Sequence, residues 1–301
     1  MTTARRLAYL ALTTNALIWG AAFPIVKPVF EFLTPLQYLY LRFLVAGILS
    51  LPIFLSFYIQ KHPKISILLK QLLIEVLGTA LPLFILYEGL AKTSALEASL
   101  IGATGPIFVV LGGIWFLHER ESKREWQGLA LSLFGSLLLI AGPLFSPSHE
   151  SPLNTLGNLY ILGYNLLYTV YAVIAKKTYK SKPPLYLGSL TYLATAAIYG
   201  FILYSQNNLP SLEHWRIWDW RILFPVLYMA IPGGILAFAL YLYAQSKIEV
   251  SEANLFTYLN GVVAIPAAYF LLGETPSWLT LAAIATIAYG VFRAENHSYK
   301  K

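Results

Sequence analysis

The chain has 301 residues, of which 57% are hydrophobic and 12% charged, with a formal net charge of +7 and no cysteine. A soluble domain carries about 25% charged residues, so a mean hydropathy of +0.63 excludes an ordinary soluble enzyme, a disordered chain and a secreted disulfide scaffold. The composition is that of an all-α polytopic membrane protein.

Apolar runs of spanning length predict ten transmembrane helices, at about 8–28, 36–59, 72–91, 95–117, 127–145, 157–176, 184–205, 222–244, 251–272 and 277–293. The first follows Arg5-Arg6. It is read as a retained membrane helix rather than a cleaved leader, because it is long, contains Trp19 and lacks a small-residue cleavage site. The longest connection, about 206–221, carries Trp215, Trp218 and Trp220, which suit a headgroup-level belt.

The charges follow the same alternation. With the N-terminus in the cytoplasm, sixteen Lys and Arg fall on the inside, among them Arg5, Arg6, Lys123, Arg124, Lys176 and Lys177. Only Lys92, Arg216 and Arg221 fall outside. This bias predicts a multi-pass protein of the cytoplasmic membrane with both termini cytoplasmic. It also explains the positive net charge without nucleic acid.

The chain repeats internally. An offset of 155 pairs Gly78 with Gly233, Lys92 with Lys247, Glu97 with Glu252, Glu119 with Glu274 and Gly135 with Gly290. Nearer the N-terminus an offset of 149 pairs Trp19 with Tyr168, Lys27 with Lys176 and Pro35 with Pro184. Two copies, 1–150 and 151–301, would hold five helices each. An odd number inverts the second copy in the membrane, an architecture used by secondary transporters.

These residues carry a resemblance. Trp19-Gly20-Ala21-Ala22-Phe23, Pro35 with Arg42, Ala91, Pro106, Glu119, Ala244 and the Leu272-Gly273-Glu274 ending together resemble the EamA-type branch of the drug/metabolite transporter superfamily. The likeness covers nearly the whole chain. Two departures are His118, where the family has Gly before Glu, and Thr191, where the first half has Arg42. The resemblance implies export or exchange of small metabolites, commonly amino acids or related compounds, without ATP.

Polar residues inside spans are costly and mark candidate sites. Asn15 and Trp19 share one face of the first helix with Phe23. Tyr164, Tyr168 and Tyr171 share a face of the sixth helix, Asn254 and Tyr258 a face of the ninth, and Tyr38 and Arg42 lie one turn apart on the second. These stripes are expected to line a solute cavity with aromatic walls and polar anchors. The alternative is packing and interface belts.

Arg42 can bind a solute carboxylate or phosphate, or it can hold helices together through carbonyls or an acidic neighbour. Glu88 sits four residues before Lys92, a spacing that makes an ion pair; the alternative is a proton-coupling carboxylate. Glu75 is expected at the interface, and Glu119 and Glu274 in helix-end packing. Pro232 is a candidate hinge. No Walker-type loop, H-E-x-x-H motif or paired catalytic set appears. The expected function is therefore a secondary transporter with no enzymatic activity, no metal and no cofactor, whose partners are a small-molecule solute and the lipid bilayer. The rivals are a lipid-linked sugar or nucleotide-sugar carrier and a membrane-embedded enzyme.

Overall fold

The computed structural model describes residues 3–62, 64–117, 123–141, 152–178, 184–210, 219–245, 247, 248, 256 and 259–295. Helices run through almost all of them, as lipid demands: without water, each backbone N–H and C=O needs a partner inside its own segment. Among the described residues six helical stretches are long and apolar enough to cross a membrane. They are Thr3–Glu31, Pro35–Lys61, Ile65–Lys92, Ala95–Phe116, Tyr186–Ser205 and Trp220–Tyr241.

Several stretches are composite. The first is α1 (Thr3–Gly20), α2 (Ala22–Val26) and a tighter 3₁₀ turn over Lys27–Glu31. Then comes α3 (Pro35–Lys61), begun by a capping box in which the Thr34 hydroxyl accepts from Gln37 N at 3.3 Å and Gln37 Oε1 accepts from Thr34 N at 3.0 Å. Next, α4 (Ile65–Glu75) continues through a wide π turn, Val76–Ala80, into α5 (Leu81–Lys92). After Ser94, which caps the following turn, α6 (Ala95–Gly102) and α7 (Gly105–Leu117) are separated by a break at Ala103–Thr104.

The remaining helices are α8 (Lys123–Ala141), α9 (Pro152–Thr178), α10 (Pro184–Ser205) and α11 (Trp220–Ala230). A second π turn, Ile231–Leu236, leads into α12 (Ala237–Gln245). They end with α13 (Leu259–Leu272) and α14 (Trp278–Glu295).

The two π turns begin at Val76 and Ile231, 155 residues apart. α8 and α14 pack on each other through small residues. A Cβ on Gly135 would lie 2.9 Å from Ala283 O, and one on Gly290 2.6 Å from Gly128 O. Small residues of this kind let membrane helices approach closely.

Large apolar side chains such as Ile65, Phe201, Phe270 and Trp278 are exposed. On a protein in water such a surface would aggregate; in a bilayer it faces lipid. The buried side is unusually aromatic and polar. Tyr38, Tyr87 and Phe43 are enclosed together with Arg42, and Glu75 is sealed at 1% exposure.

Candidate functional site

Arg42 lies seven residues into α3, about 10 Å along the helix from its start. Its side chain is buried. One guanidinium nitrogen, Nη1, donates to the Tyr87 hydroxyl at 2.5 Å, and the guanidinium lies over the Phe43 and Tyr87 rings at 4.8 and 5.5 Å. Among the described residues no carboxylate pairs with it. The aromatic cluster around it includes Tyr38, Tyr87, Tyr192 and Tyr199, whose rings contact one another or Phe43. Aromatic faces stabilise a desolvated cation, but a guanidinium has five N–H donors in a fork that matches a carboxylate or phosphate.

The box around Arg42 is fixed from several helices. Tyr38, one turn before it, stacks obliquely on Tyr87 at 5.4 Å and donates to Pro225 O at 3.3 Å. Phe30 meets both rings edge-on. Tyr199 on α10 donates to Ala80 O at 2.6 Å, at the last residue of the first π turn. Tyr87, Tyr192 and Tyr199 were not singled out in the sequence, since each is one tyrosine among 21.

Tyr164, Tyr168 and Tyr171 on α9 form a ladder, with successive ring centroids 5.9 Å apart. Tyr164 packs against the core that holds Tyr38 and Tyr87, and Tyr171 bonds Glu75, so the ladder runs from that core to the carboxylate. Tyr168 is 41% exposed, which leaves its ring open to a ligand or to water. Tyr171 packs flat onto Gly78 in the first π turn, where a Cβ would overlap the ring.

Glu75 corrects the expectation that it is interfacial. α4 starts at Ile65, well before the predicted span, and this draws Glu75 a further two turns into the bundle. Its carboxylate accepts from the Tyr171 hydroxyl at 3.3 and 3.2 Å and from the Thr191 hydroxyl at 2.6 Å. Lys92 pairs with Glu88 one turn back on α5, so Glu88 already has a cation.

The polar stripe of the first helix meets the second π turn. Trp19 Nε1 donates to Gly233 O at 2.8 Å, and Asn15 Nδ2 to Ala237 O at 2.8 Å. Tyr228 returns a bond to Ile18 O at 2.7 Å. Trp19 thus bonds a carbonyl within the π turn, and Asn15 the first residue of α12 just beyond it. Asn254 and Tyr258 lie outside the described residues.

At one end of the bundle, two charged side chains cap helix ends. Lys27 Nζ donates to Leu90 O and Ala91 O at 2.7 and 3.0 Å, capping the end of α5. Glu274 accepts from Ala95 N and Leu96 N at 3.0 and 2.7 Å, capping the start of α6. A carboxylate at a helix N-terminus and an ammonium at a C-terminus both complement the helix dipole. Lys27, Glu31, Glu274 and Leu272 line a cleft of about 380 Å³ at this end.

Known proteins share the sequence pattern and the fold. The model of the EamA-like transporter family matches twice, over residues 6–141 and 155–294. The uncharacterized transporter YcxC of Bacillus subtilis is 26% identical over 98% of this chain and 94% of its own. The uncharacterized inner membrane transporter YedA of Escherichia coli K12 is 28% identical over 93% of this chain and 88% of its own. A solved crystal structure shares the fold at a TM-score of 0.67 and 20% identity, over 97% of this chain and 98% of that one. With the family model matching nearly the whole length, the chain is a multi-pass membrane protein that belongs to the EamA-like transporter family, within the drug/metabolite transporter superfamily.

Proposed function

We propose that the protein is a secondary transporter that moves small organic solutes across the cytoplasmic membrane by alternating access. It does so as ten transmembrane helices in two inverted five-helix repeats, 1–150 and 151–301, with both termini cytoplasmic. The solute is amino acid-like or amphipathic, with an acidic group that Arg42 holds and an apolar body that packs on the tyrosine ladder. In this frame the Lys27 and Glu274 caps close the outer end. No ATP or catalytic step is needed, because two repeats of similar stability can exchange open ends around one site.

The observation that supports this reading most is Arg42: a buried cation in a span, held by a tyrosine and two aromatic faces, with no carboxylate partner among the described residues. Intramembrane cations pair with something when they act, and a solute anion supplies the missing partner. The repeated spacing of the π turns and the two matches of the family model support the two-repeat arrangement.

The test is counterflow in proteoliposomes loaded with a panel of unlabelled amino acids, purines and sugars. Accelerated entry of a labelled acidic or zwitterionic solute in wild type, with a raised KM in Arg42→Lys, is the expected result. Exchange of neutral sugars alone, untouched by Arg42→Gln, would overturn the assignment of Arg42.

A further inference from the structure

We propose that Glu75 is a proton-binding site that couples solute movement to proton movement, a proposal that rests on the transporter reading above. The Thr191 hydroxyl carries one hydrogen, yet its Oγ1 lies 2.6 Å from Glu75 Oε2 and 2.8 Å from Leu187 O. A hydroxyl donates once and accepts twice. The hydrogen can point at Glu75 when the carboxylate is ionised. It turns to Leu187 O when a proton adds to Oε2, and the new acid O–H then donates to Thr191 Oγ1. Tyr171 continues to donate to Oε1 throughout. One O–H bond forms, the proton comes from water, the charge falls from −1 to zero, and every polar atom named keeps a partner in both states.

The surroundings fit this role. Among the described residues, the groups that face Glu75 include Tyr168 and Tyr171 from α9, Thr191 from α10, and Gln71 one turn back on its own helix, itself bonded to Tyr186 of α10. α5 carries its own titratable groups, Tyr87, Glu88 and Lys92, three or more turns further on. Glu75 immediately precedes the first π turn, and such interruptions recur at functional sites.

Coupling follows from the ladder. Tyr164 and Tyr168, the proposed solute wall, stack in one ladder with Tyr171, which holds the carboxylate. A solute that moves Tyr168 moves a donor of Glu75, and by linkage the proton changes solute affinity in return.

Infrared difference spectra of the purified full-length protein in lipid, recorded across a pH titration, test the proton site directly. Wild type is expected to show the carbonyl-stretch band of a protonated carboxylic acid that appears and disappears with pH. Glu75→Gln loses it, and Glu88→Gln keeps it. Thr191→Val keeps the carboxyl but shifts the band, because the acid O–H has lost its acceptor; this variant carries the test if Glu75→Gln does not fold. A band that survives in Glu75→Gln, or that is unmoved in Thr191→Val, overturns the proposal.

Coupling is then read in proteoliposomes with an internal pH dye, using L-amino acids as the probes. The ratio of protons to solute moved falls to background in Glu75→Gln. An unchanged ratio overturns coupling, since a purely structural Glu75 would lower both fluxes together. If no amino acid exchanges in wild type, the amino acid-like assignment has failed, while the infrared band still decides the proton site.

Discussion

Positions 42 and 191 are 149 residues apart, the offset that also relates Pro35 to Pro184 at the starts of α3 and α10. These helices pack against each other. Yet one position holds a guanidinium in an aromatic box, and the other a hydroxyl bonded to a sealed carboxylate. The cation and the acid belong to one bundle and do not pair with each other among the described residues. The tyrosine ladder lies between them. The repeat supplies matching helices and matching π turns, and the chemistry sits where the copies differ.

The largest effect is expected at Arg42. Hydrogen bonds to charged groups are worth about 1.5–3 kcal/mol, so Arg42→Gln should raise KM for an acidic solute roughly tenfold to a hundredfold. Tyr87→Phe, which removes the one acceptor of Arg42 among the described residues, should change KM much less. Equal effects in the two variants would mean that Arg42 serves Tyr87 and the packing rather than a solute. The measurement is concentration-dependent counterflow, with melting temperatures as the check on folding.

Next comes Gly78, under the other end of the ladder. A Cβ there would overlap the Tyr171 ring, and overpacking costs about 1–3 kcal/mol. Gly78→Val should lower the melting temperature in detergent by several degrees. Gly188→Ala is the control, since its nearest neighbour would be the Phe238 side chain at 3.4 Å. If both behave alike, the close seat of Tyr171 on the π turn is not what fixes the ladder.

These comparisons also show what could be read from the sequence. The helices, the loop charges and the 155-residue spacing of Gly78 and Gly233 follow from hydropathy and repetition, which are one-dimensional signals. Arg42 stands out because a charge in an apolar run is visible on its own. Glu75 does not, because its burial depends on α4 beginning at Ile65, ahead of the apolar run, and on the partners that α9 and α10 bring to it. The face shared by Tyr164, Tyr168 and Tyr171 is legible from helical spacing, but not that it ends on a carboxylate. Trp19 and Asn15 illustrate the reverse: a polar stripe on one face is legible, but its acceptors are carbonyls in and just after a π turn more than 210 residues away.

The smallest effect is expected at Trp19, and it sharpens the comparison between the two π turns. Trp19 and Tyr168 are 149 residues apart, and Gly233 and Gly78 are 155 apart. At the second turn the contact is an N–H donated to Gly233 O; at the first it is the Tyr171 ring laid on Gly78. Replacing the indole with a phenyl ring keeps most of the packing and removes only the donor. Hydrogen bonds between membrane helices average about 0.6 kcal/mol, so Trp19→Phe should lower the melting temperature by a degree or two and leave KM for solute unchanged. A large rise in KM with no loss of stability would place the indole on the solute instead, and would move the cavity wall from α9 to α1.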